Sequence, residues 1–151
     1  MVPRIRVQQA PFDTGKELTQ LGRASGQVGA IASFIGLVRD INEDDQVAGL
    51  YLEHYPGMTE KQIAGIVEEA SARWQILSAT VIHRVGNLQP SDEIVFVGTA
   101  SEHRHDAFQA SEFIMDFLKT RATFWKKERT PDGERWLTTR QQDVDAVKTW
   151  E

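Results

Sequence analysis

Four groups of polar side chains in this sequence are of types, and at spacings, that can do chemistry. His103 and Arg104 stand in the first turn of a predicted helix, where free backbone N–H groups and the helix dipole favour an anion and two cations add to the attraction. The pair reads as a phosphate site or, equally, as a solvated first turn with an incidental histidine. His105 adds nothing, because neighbours on a helix do not face each other. Lys119 closes the same helix, where a lysine ordinarily only complements the dipole. Lys126 and Lys127 follow Phe124 and Trp125, aromatic neighbours able to strip water from an ammonium group and make it chemically useful. Alternation along a strand sends these two lysines to opposite faces, so only one points inward. Arg39, at the end of an apolar run, is either a bidentate clamp for phosphate or carboxylate or a surface charge that ends a strand. His54 and His83 lie on apolar strand faces and read as structural histidines. No histidine and carboxylate grouping has metal-ligand spacing, and there is no glycine-rich phosphate loop or serine elbow.

The elements that must hold these residues follow from hydrophobic periodicity. A short helix is predicted over 13–24. The run from Val28 to Val38 is apolar or small on both alternating faces, which predicts a buried central strand ending at Arg39. A polar loop over 40–46 leads to a strand near 49–55, which Pro56-Gly57 stops. Thr59 and Gln62 have capping-box spacing and start a helix whose core face carries Ile63, Ile66, Val67, Ala70 and Trp74. Strands over 77–85 and 93–100, joined by the Pro90-Ser91-Asp92 turn, should pair antiparallel. The long helix over 103–119 takes Ser101 as N-cap and Phe108, Ile114, Met115 and Leu118 as core residues. A hairpin around Pro131-Asp132-Gly133 closes the reading. Helices mixed with mainly antiparallel strands make an α+β fold, and no linker or repeat divides residues 1–151, so one domain is expected.

Composition narrows the function. At 151 residues the chain buries roughly 68–70% of its unfolded surface and needs no metal or disulfide staple. It has no cysteine, which excludes a disulfide scaffold, a thiolate metal site and a thiol nucleophile together. Any sulfur chemistry must use sulfur brought by another molecule. No apolar run reaches signal-peptide or membrane-span length, so a cytoplasmic protein with no membrane role is expected. A net charge of −5 argues against nucleic acid, yet residues 119–140 hold seven cations against three anions. A local cationic site on an acidic protein suits a small anionic ligand.

Longer strings add a resemblance over nearly the whole chain. Phe34-Ile35-Gly36-Leu37-Val38-Arg39, Leu52-Glu53-His54-Tyr55-Pro56-Gly57-Met58, Val81-Ile82-His83-Arg84-Val85-Gly86 and Asp92-Glu93-Ile94-Val95-Phe96-Val97 occur in that order. Ser101-Glu102-His103-Arg104, Phe113-Ile114-Met115-Asp116-Phe117-Leu118-Lys119-Thr120-Arg121 and Phe124-Trp125-Lys126-Lys127-Glu128 follow them. Together they resemble the large, catalytic subunit of molybdopterin synthase, the MoaE family. The resemblance implies an α/β hammerhead-type fold with an added small antiparallel sheet, and a dimer of this subunit at the centre of a heterotetramer. It implies conversion of cyclic pyranopterin monophosphate to molybdopterin, with two sulfurs inserted as a dithiolene and no cofactor or metal. The sulfur would arrive as a thiocarboxylate on the C-terminal glycine of a small ubiquitin-like partner; a chain ending Thr149-Trp150-Glu151 rather than Gly-Gly is not expected to be that carrier. By position, Lys119 and Lys126 match the family's catalytic lysines, and Arg39, His103, Arg104 and Arg140 its substrate-binding cations, with Lys127 the basic residue beside the second lysine. Leu37 and His105 depart from the usual pattern at positions without an assigned role.

One constraint is geometric. His103 and Lys119 are sixteen positions apart on one predicted helix, roughly 24 Å at the ordinary rise. A small pterin phosphate cannot touch both, so a site shared between two copies is expected. Two other functions remain open from the residues: a non-catalytic module that binds a ubiquitin-like tail, and a phosphate-processing enzyme that uses no sulfur.

Overall fold

A computed structural model describes residues 1–151. The chain runs β1 (Arg4–Gln8), α1 (Thr14–Gly22), β2 (Ala30–Leu37), β3 (Ile41–Asn42), β4 (Asp45–Gln46), β5 (Gly49–His54) and α2 (Met58–Arg73), then β6 (Ser78–Arg84), β7 (Gly86–Leu88) and β8 (Glu93–Ser101). It ends with α3 (Arg104–Arg121), β9 (Phe124–Thr130), β10 (Gly133–Trp136) and α4 (Gln141–Lys148). One sheet has the order β1-β6-β8-β2, a second the order β10-β9-β5-β7, and β3-β4 form a small hairpin. The fold is α+β, a hammerhead with an added antiparallel sheet, as the resemblance implies.

The strands β6 and β8 are buried at almost every position because both faces of their sheet are covered. Ala79, Val81, Val95 and Val97 face α2 and α3 within the main core. Ile82 and Phe96 pack on the other side with Leu21 of α1. Helix α3 buries Ala107, Ala110, Ser111, Phe113, Ile114, Phe117 and Leu118, a stripe at helical spacing. Buried hydroxyl contacts, two protons shared among three close approaches, fix its height over the sheet: Thr99 Oγ1 lies 2.8 Å from both Ala107 O and Ser111 Oγ, and Ser111 Oγ lies 3.1 Å from Ala32 O.

Several expectations are corrected. The strand β2 is an edge, not a central strand, and leaves Ile31 and Phe34 more than 40% exposed. A run apolar on both faces predicts burial, yet within the single chain one side of β2 stays open. Phe108, expected in the core, is 62% exposed on α3. His103, not Ser101, caps α3, since β8 runs on to Ser101. The polar segment 40–46 is not a plain loop but contains the β3-β4 hairpin, with positive φ at both Glu43 and Asp44 as a two-residue type I′ turn requires. The pairing of β1 with β6 is parallel, and β7 and α4 were not anticipated. No helix is long and apolar enough to cross a membrane.

The C-terminal segment is tied down by an aromatic triangle. Trp74, Phe113 and Trp150 meet edge to face with centroids 5.5 Å apart, and Trp150 Nε1 donates to Asp116 Oδ2 at 2.8 Å. Phe113→Ala is therefore expected to cost about 3–5 kcal/mol in urea unfolding. A loss below about 1 kcal/mol would show that the triangle does not hold α4.

Candidate functional site

Four cations from four separate parts of the chain line one cavity of about 570 Å³: Arg39, Lys119, Lys126 and Arg140. That size suits a small molecule. Arg39 follows β2 past a bulge between Gly36 and Leu37, which bends the strand and re-aims what comes next. The bend is pinned by backbone bonds from Val38 N to Asp92 O at 2.9 Å and from Ser91 N to Val38 O at 2.8 Å. Gly36 is needed there, because a Cβ would lie 2.8 Å from Val95 Cγ1. Lys119, in the last turn of α3, stands at the exposed rim; Lys126 is on β9, deeper in the wall.

The short link between the two lysines is clamped by α2. Thr59 Oγ1 donates to Thr123 O at 2.9 Å and accepts from Tyr55 N at 2.9 Å, while Gln62 Oε1 accepts from Thr123 N at 2.8 Å. The predicted Thr59–Gln62 capping box is thus replaced by a clamp on Thr123; Gly57 caps α2, and Glu60 Oε2 accepts from Gly57 N at 3.3 Å. Alternation along β9 then works as expected. Lys126 faces the cavity, and Lys127 faces away, bound to Glu134 at 2.8 Å and lying over the rings of Tyr51 and Trp136. The hydrogen bond to Glu134 raises the Lys127 pKa. Expected as a substrate-binding cation, Lys127 is not brought to this cavity, because the strand's two-residue period excludes it.

His103 and Arg104 are not brought to it either. They line a separate concavity with His105, Phe108 and Gln109 at the start of α3. Helix length alone accounts for the separation, since sixteen residues of helix cannot fold back.

The sequence reading passed over three residues of the cavity. His83, read as structural, lies in the wall and stacks on Phe124 at 3.9 Å, with Nδ1 against Arg84 O at 2.8 Å. Burial, reinforced by the Lys126 and Lys119 charges and opposed by the Arg84 carbonyl, lowers its pKa to about 3, so it is neutral at physiological pH. Nδ1 therefore carries the proton toward the carbonyl. The other two are Asn42 and Glu128, both buried in the cavity's floor and joined by a 2.7 Å hydrogen bond. Polarity in a strand was the only available signal for Glu128, and nothing in the sequence marked Asn42.

Lys126 is the most chemically altered cation. Burial first, then repulsion from Lys119, push its pKa down to about 8, with Asp143 partly opposing. It therefore carries more of the neutral form near neutral pH than an ordinary lysine, which is almost wholly charged there.

A family described as MoaE protein matches residues 7–121. The chain is 55% identical over 149 residues to the molybdopterin synthase catalytic subunit of Ralstonia nicotianae, covering 99% of this chain and 85% of that protein. The molybdopterin biosynthesis MoaE protein from Burkholderia ambifaria superposes with a TM-score of 0.85 at 48% identity, covering 99% of this chain and 98% of that one. The crystal structure of molybdopterin synthase from Staphylococcus aureus gives 0.81 at 31% identity, over 87% of this chain and 95% of that one.

Two titrations test the site's electrostatics. By NMR of ¹³C-labelled lysines, the Lys126 side chain is expected to titrate near pH 8, and Lys119→Met to move the midpoint upward by removing a positive neighbour; a wild-type midpoint near the ordinary 10.5 would contradict this. His83 favours the neutral form when folded, so its contribution is complete above pH 6.5 and is lost as pH falls toward 3. His83→Gln is expected to flatten stability against pH in that window, by at most about 1.4 kcal/mol per pH unit. An unchanged slope would mean that His83 is protonated in the fold.

Proposed function

Because the chain belongs to the MoaE family of molybdopterin synthase catalytic subunits, an enzyme of molybdenum cofactor biosynthesis, we propose that its cationic cavity is where dithiolene sulfur is inserted into cyclic pyranopterin monophosphate. The observation that carries this is the convergence of Arg39, Lys119, Lys126 and Arg140 on one small-molecule cavity, with Lys126 depressed toward neutrality. In this reading residues 1–151 act as one domain in the cytoplasm and perform a sulfur transfer without a cofactor.

The sulfur comes from the C-terminal thiocarboxylate of a small ubiquitin-like subunit whose tail enters the cavity. Lys119, at the exposed rim, meets that tail and stabilises the charge of the tetrahedral or acyl intermediate. Lys126, deeper and partly neutral, orients the pterin side chain and passes a proton. Arg39 and Arg140 hold the substrate's phosphate as it is displaced. His103 and Arg104 complete that anion site from a second copy of the chain. The exposed apolar side chains of the β2 edge, with Phe108 on the helix packed over it, give such a dimer a surface to bury.

Combining the protein with thiocarboxylated partner and pterin precursor, and omitting each in turn, should yield the fluorescent oxidation product of molybdopterin only when all three are present. Lys119→Ala and Lys126→Ala should each lower the rate by about a hundredfold or more; near-normal rates would refute the assignment. Each mixed dimer of Lys119→Ala and Arg104→Ala chains retains one intact shared site, so an equal mixture should recover roughly a quarter of wild-type activity. No recovery would place both groups in one protomer's chemistry.

A further inference from the structure

Asn42 touches both arginines of the cavity and has no role in the chemistry above. Its Oδ1 accepts from Arg140 at 2.7 Å and, at the longer distance of 3.5 Å, from Arg39; its Nδ2 donates to Glu128 Oε2 at 2.7 Å. The amide can sit only this way round, because a guanidinium only donates and a carboxylate only accepts. Glu128 is buried to 4% exposure, and its other oxygen accepts from Arg135 Nε at 2.9 Å. The same Arg135 reaches Asp45 at 2.7 Å, so the β3-β4 hairpin is anchored through both residues of the pair next to its turn, Asn42 and Asp45.

We propose that Asn42 is a positioning residue that sets the cavity's affinity for the substrate phosphate. It orients Arg39 and Arg140 through a neutral acceptor and keeps the negative charge of Glu128 from pairing with them. Other side chains fail there for physical reasons. Aspartate would neutralise the arginines and repel Glu128. Alanine would leave Glu128 Oε2 without a donor beside two guanidinium groups, and a direct ion pair would take up the charge that an incoming phosphate needs.

The assignment rests on the reading of this cavity as the pterin phosphate site, and steady-state kinetics of the assembled enzyme at saturating thiocarboxylated partner separate the two. Asn42→Asp and Asn42→Ala should raise KM for cyclic pyranopterin monophosphate about ten- to hundredfold, the charge-assisted hydrogen-bond range, with kcat within about threefold. Asn42→Gln, which keeps a donor and an acceptor, should recover much of the KM. If Asn42→Asp does not fold, Asn42→Ala, set against Asn42→Gln, carries the comparison. Folded variants with wild-type KM, or with a loss confined to kcat, overturn the role of Asn42 while wild type remains active. A Lys119→Ala enzyme as active as wild type would instead sink the reading of the cavity, and this assignment with it.

Discussion

Setting the Lys126 ammonium into the wall of a cavity beside Lys119 opposes folding twice, through lost hydration and through like-charge repulsion, and neither term is relieved by a directly bonded carboxylate. The arrangement persists only if the backbone carrying both lysines cannot relax outward. The surrounding structure meets that demand. Helix α3 is fixed against β8 and β2 by the buried Thr99 and Ser111 hydroxyls. The link to β9 is gripped at both backbone atoms of Thr123 by α2. Phe124, two residues before Lys126, is stacked on a buried ring.

The same constraint explains the neutral histidine. A protonated His83 would add a third cation beside Lys119 and Lys126, so burial and the neighbouring charges act together to keep the proton off. Negative charge is present but kept at a distance from the lysines. Glu128 is occupied by Asn42 and Arg135, and Asp143 stands at the start of α4, where it moderates Lys126 without bonding to it. The cavity thus keeps a cationic surplus for a ligand to neutralise.

Much of this was legible in the sequence, and the remainder was hidden for identifiable reasons. The alternation that separates Lys126 from Lys127 is local geometry, and the structure obeys it. The distance between His103 and Lys119 follows from helix rise, and they do line different concavities. The β2 edge departs from expectation because a hydrophobic pattern records a tendency toward burial without saying which chain supplies the cover. Thr59 and Gln62 form a capping pattern, but their hydroxyl and amide are spent on Thr123, 64 and 61 residues away, a contact that no local rule contains. Asn42 was hidden similarly, since its partners Glu128 and Arg140 lie 86 and 98 residues further along. Helix α4 has no buried residue of its own; it depends on Trp150, just beyond its end, packing on Phe113.

The absence of cysteine and the separation of the cations lead to one consequence. A cavity with no thiol and no clustered metal ligands can offer a reaction only charge, shape and one lysine able to exchange a proton. In the proposed sulfur transfer the sulfur therefore enters on another molecule, and the exposed rim at Lys119 leaves a way in. The cations at the far end of α3 stand away from that rim in any single copy, so they reach the same substrate only across an interface. An uncovered apolar strand edge, close to the helix that carries both groups, is what such an interface requires. In the proposed reaction the needs are thus divided among three polypeptides: one holds the lysines, a second copy completes the anion site, and a third brings the sulfur.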